Sequence, residues 1–271
     1  FNLLVPVRVC NLQFAFCTEY SEKFRYGSLN IYLLWEEKIR MKNKNSYIED
    51  EQRRITDLVT KKFKNYYLTG GTALSFYFNH RFSEDLDFFT QKYKKEDPDR
   101  IMSYVFKETS FNFKLEAEQD DPKLIPMRVY FLELNKRCVL KIDFVQDFQE
   151  NIKRIKNGLH SVEDIYYRKI SAAIGMIKKQ DATGRVIHAG RQSVKDLFDL
   201  YYLSKHHKFF SEFLFEYFSY DRAESLIAWY RGFNRMNLKI ELLDLVPNID
   251  AGKVIKHLDS EILKRLPEKL M

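Results

Sequence analysis

Apolar and polar positions recur along this chain with two different periods, and the change from one to the other divides it. Residues 47–64 set Ile48, Ile55, Leu58, Val59 and Phe63 among charges at helical spacing, which predicts an amphipathic helix. Tyr66-Tyr67-Leu68-Thr69 reads as a short strand halted by Gly70-Gly71, and the run from Thr72 to Phe78 as a helix that opens at those glycines. Leu86-Asp87-Phe88-Phe89 is a second strand signal. Asp97-Pro98 starts a helix to Lys107, with proline in the first turn. Residues 111–116 alternate apolar and polar, and 126–134 with 137–145 predict a hairpin about Asn135-Lys136. Beyond Asp147 the strand signals cease. Capping boxes at Ser161-Val162-Glu163-Asp164 and Ser193-Val194-Lys195-Asp196 open helices to about Lys179 and Ser204, and the rest is helical in pattern without repeats.

The expected fold class is therefore α+β. An N-terminal extension over 1–46 precedes a mixed sheet-and-helix part over 47–150 and an all-helical part over 151–271. A short polar link, 149–157, joins the last two, with a cleft expected between them. Met41 opens a polar run, so residues 1–40 read as an appendage whose removal leaves activity intact.

Composition narrows the class. The 271 residues are 45% hydrophobic and 31% charged, with six Pro and nine Gly, which excludes wholesale disorder and collagen-like architecture. Forty-five Lys and Arg against 38 Asp and Glu leave a net charge of +7, a weak pull towards an anionic partner. Cys10, Cys17 and Cys138 lack CxxC spacing, which fits a reducing compartment better than a disulfide scaffold or a zinc site. No run approaches the roughly 20 apolar residues of a membrane helix. The apolar start lacks a basic n-region, so no membrane partner is expected and the cytoplasm is the default location.

The chemistry concentrates in Leu68-Thr69-Gly70-Gly71-Thr72-Ala73-Leu74 and His80-Arg81-Phe82-Ser83-Glu84-Asp85-Leu86-Asp87-Phe88-Phe89. A strand that ends in Gly-Gly and turns into a helix leaves N–H groups at the positive end of the helix dipole, an anion site suited to phosphates. Thr72 adds a hydroxyl at that turn, although Gly-Gly-Thr by itself is also an ordinary turn. Asp85 and Asp87 are two apart on a strand, so both carboxylates project from one face. Paired hard oxygen ligands suit Mg²⁺ or Mn²⁺. Apolar Leu86, Phe88 and Phe89 argue for a buried strand, where unpaired charge is costly. Asp143 sits in the apolar run Val139-Leu140-Lys141-Ile142-Asp143-Phe144-Val145. If that strand neighbours the Asp85–Asp87 strand, three carboxylates meet, the equipment for two metals and in-line displacement at phosphorus.

These motifs, in this order, resemble the AbiEii/AbiGii-type nucleotidyltransferase toxins of abortive-infection toxin–antitoxin pairs. The resemblance extends through Asp143 to Asp164-Ile165-Tyr166-Tyr167-Arg168-Lys169-Ile170 and to Lys195-Asp196-Leu197-Phe198-Asp199-Leu200, covering about 48–205. It implies a polymerase-β-like nucleotidyltransferase core that moves NMP from an NTP to an acceptor resembling the tRNA 3′ end. It also implies a cognate antitoxin from a neighbouring gene. On the matching positions, Gly71 and Thr72 would hold the triphosphate and Gly70 would shape the turn. Ser83 and Asp85 would form a catalytic pair, Asp87 would be the second metal ligand, Lys169 would meet the phosphates, and Asp196 would fill the late acidic position. Lys195 stands where the family often has Arg, which keeps phosphate charge but not bidentate geometry. The Gly-containing connection 180–191 is longer than the family's usual one and reads either as a substrate loop or as a solvated turn.

Plainer readings accompany these. Lys169 on an amphipathic helix is also a surface lysine, and Asp196 with Asp199 is also a salt-bridged helix face in which Lys195 pairs with Asp199. Arg81 either anchors its loop through Glu84 or neutralises triphosphate charge, and the second is preferred here. His188, His206 and His207 read as solvated residues without carboxylate partners at metal-ligand spacing, and the aromatics of 205–234 as mostly core, with a few left to stack on nucleobases. The leading expectation is a metal-dependent nucleotidyltransferase acting on RNA. The alternatives are the same core with a small-molecule acceptor such as an aminoglycoside, and a non-enzymatic basic RNA-binding module. Lys61, Lys62, Lys64, Lys153, Arg154, Lys156, Arg168, Lys169, Lys178, Lys179, Arg185 and Arg191 are the expected basic rim.

Overall fold

The computed structural model describes residues 44–175, 179–184, 186, 187 and 190–270. The chain divides into two compact units, Phe1–Tyr47 and Ile48–Met271, and the architecture below is that of the second. The expectations for residues 1–40 and for Cys10, Cys17, Lys178, Arg185 and His188 fall outside the described residues.

Helix α1, described over 44–62, leads to β1 (Tyr67–Thr69), α2 (Gly70–Phe78), β2 (Asp85–Thr90) and α3 (Asp97–Thr109). Three longer strands follow: β3 (Phe113–Gln119), β4 (Met127–Asn135) and β5 (Cys138–Gln146). They assemble as one mixed sheet in the order β1-β2-β5-β4-β3, in which only β2 and β5 run parallel. The hairpin expected about Asn135-Lys136 is the β4–β5 pair.

Strand alternation gives this sheet two chemically distinct faces. Leu86 and Phe88 of β2 and Leu140, Ile142 and Phe144 of β5 are fully buried, in one cluster with Ile55 and Val59 of α1 and Ile101, Met102 and Val105 of α3. Phe88 stacks on Phe144 at 5.6 Å. Each such side chain contributes about 1.5–3 kcal/mol by leaving water. The intervening residues Asp85, Asp87, Lys141 and Asp143 point to the other face. The apolar face thus fixes the strand register, and the register fixes the polar face.

The helical half comprises α4 (Val162–Ile174), α5 (Val194–His206), α6 (Phe210–Tyr217), α7 (Asp221–Arg231), α8 (Arg235–Leu245) and α9 (Ala251–Leu258). A π-helical segment, Asp259–Arg265, runs on into α10 (Leu266–Leu270). Its core holds Tyr166, Leu197, Leu200, Leu203, Phe210, Phe213, Trp229 and Tyr230, as the aromatic spacing of 205–234 predicts. Phe209 and Tyr220 are exposed instead. Among the described residues no helix is long and apolar enough to cross a membrane.

Three local expectations need correction. Helix α4 stops at Ile174 rather than near Lys179, and the returning chain binds its end, with Arg191 N–H donating to Ala172 O at 2.8 Å. Of the two capping boxes, Ser161 accepts from Asp164 N–H at 3.0 Å, but Ser193 makes no side-chain cap, and the Asp196 carboxylate is bonded to Lys169 instead of turning back to the helix start. Strand pairing also continues past Asp147. Segment 158–160 adds to β1 through Leu68 N–H to Gly158 O and His160 N–H to Leu68 O, and β6 (Lys179–Gln180) pairs with β7 (Val186–Ile187) antiparallel.

Candidate active site

The β1–α2 turn is built against the carboxylates of β2. Gly70 has φ 72°, in the left-handed region, and a Cβ there would collide with the Asp87 carboxylate. A Cβ on Gly71 would lie 2.7 Å from Arg81 Nη2 and 2.9 Å from Ser83 Oγ. Glycine is demanded at Gly70 by both backbone and close approach, whereas a Cβ at Gly71 would have to push Arg81 and Ser83 aside. The first N–H groups of α2, which have no helical partner, thus open beside Asp87, Arg81 and Ser83. Thr72 is buried and its hydroxyl donates to Asp85 O, so its proton is committed to holding the turn to β2.

The register sets Asp85 opposite Lys141 and Asp87 opposite Asp143 on the parallel β2–β5 pair, which realises the strand adjacency that a three-acid cluster needs. Burial pushes the Asp87 carboxyl up to about 6, with the charges of Asp143 and Asp85 adding to the rise and Lys169 and Lys141 opposing it. Burial also raises Asp143, against the pull of Lys141. Lys141 Nζ donates to Asp143 Oδ2 at 2.5 Å, whereas the buried Oδ1 has no partner. Among the described residues no three carboxylate, imidazole or thiol side chains stand in ligating geometry. The donors nevertheless suit a hard divalent cation in kind, because acids meet across adjacent strands and one of them keeps a buried oxygen unpartnered.

The helical half brings a buried ionic network to the same region. Arg81 clasps Asp199 with Nε to Oδ1 at 2.6 Å and Nη2 to Oδ2 at 2.8 Å. His80 Nε2 meets Asp199 Oδ1 at 2.7 Å. Lys169 Nζ lies 2.6 Å from Asp196 Oδ1 and 2.7 Å from Asp199 Oδ2, and Arg191 Nε donates to Asp196 Oδ2 at 2.8 Å. Burial alone would raise the Asp199 carboxyl, but Lys169, His80 and Arg81 together hold it well below the ordinary carboxylate range. Burial likewise works against the Lys169 ammonium, and Asp199 and Asp196 outweigh it, so the pKa is raised.

A second network supports the turn from behind. His160 is fully buried, with Nδ1 2.8 Å from Thr69 Oγ1 and Nε2 2.9 Å from Asn151 Oδ1. Arg168 reaches Asp147 at 2.6 Å, Asn151 at 3.0 Å and Asp164 at 3.3 Å, and Tyr67 donates to the same Asp147 oxygen at 2.7 Å. Burial, reinforced by the Arg168 charge, lowers His160 to about 3 and keeps the ring neutral.

The structure thus gathers Gly70, Gly71, Thr72, Ser83, Asp85, Asp87, Asp143 and Lys169 in one region, with Asp196 behind Lys169. Several expectations about partners change. Arg81 is anchored by Asp199, not Glu84. Lys195 pairs with Glu84 at 2.9 Å on the exposed side rather than with Asp199. Asp196 and Asp199 are interior, not a solvated face, and Arg168 and Lys169 are interior rather than rim. His207 lies 4.0 Å from Glu163, both part-exposed. Sequence reasoning missed His80, Lys141, His160 and the depth of Asp199. The signal for Asp199 was present: Leu197, Phe198, Leu200, Tyr201 and Leu203 are apolar nearly all round α5, and such a helix is buried on every side. Lys141 could have been read from its place two residues before Asp143 on an alternating strand.

Comparison with known proteins adds the family. The family model for the nucleotidyl transferase AbiEii toxin, Type IV TA system, matches residues 57–269. The solved structure of JHP933 from Helicobacter pylori superposes with a TM-score of 0.52 at 22% identity, covering 84% of this chain and 93% of that one. A candidate nucleotidyltransferase of H. pylori superposes with a TM-score of 0.50 at 20% identity, covering 82% and 94%. At these identities the likeness extends to the fold alone. No curated protein matches the chain.

Proposed function

The chain belongs to the AbiEii nucleotidyl transferase toxin family, and from that premise we propose that it transfers NMP from an NTP to the 3′ end of tRNA as the toxin of a two-gene pair. The observation that carries the reading is the register of Asp87 against Asp143 with the Gly70 backbone pressed onto the Asp87 carboxylate. An anion-binding turn and an acid cluster then share one small volume, as a reaction between a triphosphate and a hydroxyl requires. A cytoplasmic location follows from the substrates, and the antitoxin is the expected protein partner.

In this reading the triphosphate sits on the first N–H groups of α2. Arg81 Nη2 faces it through the gap that a side chain at Gly71 would fill. Lys169, pinned by Asp196 and Asp199, supplies a fixed ammonium from the helical half. Asp85, Asp87 and Asp143 would hold Mg²⁺ or Mn²⁺, which supplies charge neutralisation at the phosphates and acidifies the acceptor hydroxyl. Asp143, across from Asp87 on the neighbouring strand, orients that hydroxyl and takes its proton. The acceptor oxygen bonds to the α-phosphorus, the bond from that phosphorus to the bridging oxygen breaks, and pyrophosphate leaves with the electron pair. The part over 47–150 contributes the turn and acids, and the part over 151–271 contributes Lys169 and its counter-ions.

The test is incubation of the purified protein with total RNA, Mg²⁺ and each α-³²P-labelled NTP in turn. Label on tRNA that disappears in a folded Asp85→Ala variant supports the reading. Undiminished labelling by that variant refutes the site, and label confined to a small-molecule acceptor refutes the tRNA assignment.

A further inference from the structure

The acid cluster already contains a cation of its own. On the parallel β2–β5 pair, Lys141 stands opposite Asp85 while Asp143 stands opposite Asp87. Lys141 and Asp143 are two apart on β5, so both leave the same face of the sheet. Lys141 Nζ is 2.5 Å from Asp143 Oδ2, at the open edge of the site, where the Lys141 side chain is 36% exposed and that of Asp143 12%. Asp143 Oδ1 points into the interior without a partner. The ammonium is bonded to Asp143 on β5 while the register sets the Asp85 and Asp87 carboxylates beside it on β2, and it stands on a flexible stem that can swing out to water.

We propose that Lys141 is the resident counter-ion of the Asp85–Asp87–Asp143 cluster, and that a divalent cation gains Asp143 only by displacing the Lys141 ammonium from Oδ2. This rests on the metal-binding reading of the cluster given above. Two cations on one carboxylate oxygen repel each other, so Lys141 lowers metal affinity in the free protein. An NTP reverses the balance, because its phosphates bring the negative charge that both cations can share. The device favours loading metal together with nucleotide over idle loading of the empty turn.

The experiment is titration of the full chain with Mn²⁺ in the absence of nucleotide, following the free-ion electron paramagnetic resonance signal. Lys141→Met is expected to bind Mn²⁺ about fivefold more tightly than the wild type, which is what loss of a partly screened competing ion pair releases. Lys141→Gln, which keeps a polar tip, serves as a second neutral variant if the first does not fold, as judged by its melting transition in EDTA. Lys141→Arg retains the cation and is expected to match the wild type. Equal or weaker Mn²⁺ binding by both neutral variants overturns the inference while leaving the metal site standing. Absence of Mn²⁺ binding by every form, including Asp143→Asn, overturns the inference and the metal reading together.

Discussion

Replacing Asp87 by Asn should make the protein more stable and inactive at once. Burial and the charges of Asp143 and Asp85 raise the Asp87 carboxyl from its ordinary 3.8 to about 6. At about 1.4 kcal/mol per unit, ionising it in the folded state costs up to about 3 kcal/mol relative to the unfolded chain. The sign follows from proton binding. Between the two values the folded state holds more proton than the unfolded state, so stability falls as pH rises from 4 through 6. Asn has the same volume and no charge to desolvate. With allowance for shared protonation in the cluster, the variant should gain about 1–3 kcal/mol above pH 7 and nothing near pH 4. For a unit of this size that is a rise of roughly 3–10 °C in melting temperature. The assay is thermal and urea unfolding across pH 4–8 in EDTA, beside tRNA labelling in Mg²⁺. Adding Mn²⁺ with NTP should reverse the order, because ligand binding stabilises only the form that can hold it. A gain that is absent, or the same at pH 4 and pH 8, would refute the electrostatic account.

Three further outcomes are expected. Asp199→Ala leaves Arg81, Lys169 and His80 buried around a missing counter-ion and should cost about 3–5 kcal/mol in urea unfolding; a loss under 1 kcal/mol would contradict the network. Gly71→Ala forces Arg81 Nη2 and Ser83 Oγ apart and should lower labelling on the order of 100-fold with the fold intact. Full activity would mean that the turn does not hold the triphosphate. His160, ordinarily near 6.5 and lowered here to about 3, contributes stability that is complete above pH 6.5 and is lost as pH falls towards 3. In His160→Gln that acid slope of about 1.4 kcal/mol per pH unit should vanish, read as the difference from the wild type so that the opposite trend of Asp87 cancels.

Most of the sheet was legible in the chain because alternation writes its two faces directly. Leu86, Phe88, Leu140, Ile142 and Phe144 mark the core side, and whatever lies between them must point the other way. Asp85 and Asp87 were therefore placed on one face of their strand by sequence alone, and the same alternation puts Lys141 on the Asp143 face of β5, although only Asp143 was singled out there. The Gly-Gly turn was legible as well, because a glycine pair between a strand and a helix has few other uses. Helix ends were less so: α4 ends at Ile174 on Gly175, whose φ of 76° caps it, a glycine the apolar spacing overran, and Arg191 N–H from the returning chain binds Ala172 O in its last turn.

Partners were another matter. An ion pair between Arg81 and Asp199 or between Lys169 and Asp196 joins residues far apart in sequence, and short-range spacing instead suggested Glu84 for Arg81 and Asp199 for Lys195. In water those local pairs are worth a few tenths of a kcal/mol, so nothing local selects them. Packing of apolar α5 against the sheet half buries Asp196 and Asp199, and burial makes an unpaired carboxylate too costly to leave alone. The sequence by itself determined which residues are the candidates for the chemistry and on which face of which element they lie, because period and residue type are local properties. Only the tertiary structure decided which charges meet, because desolvation, which forces the pairing, exists only once the two halves have closed over them.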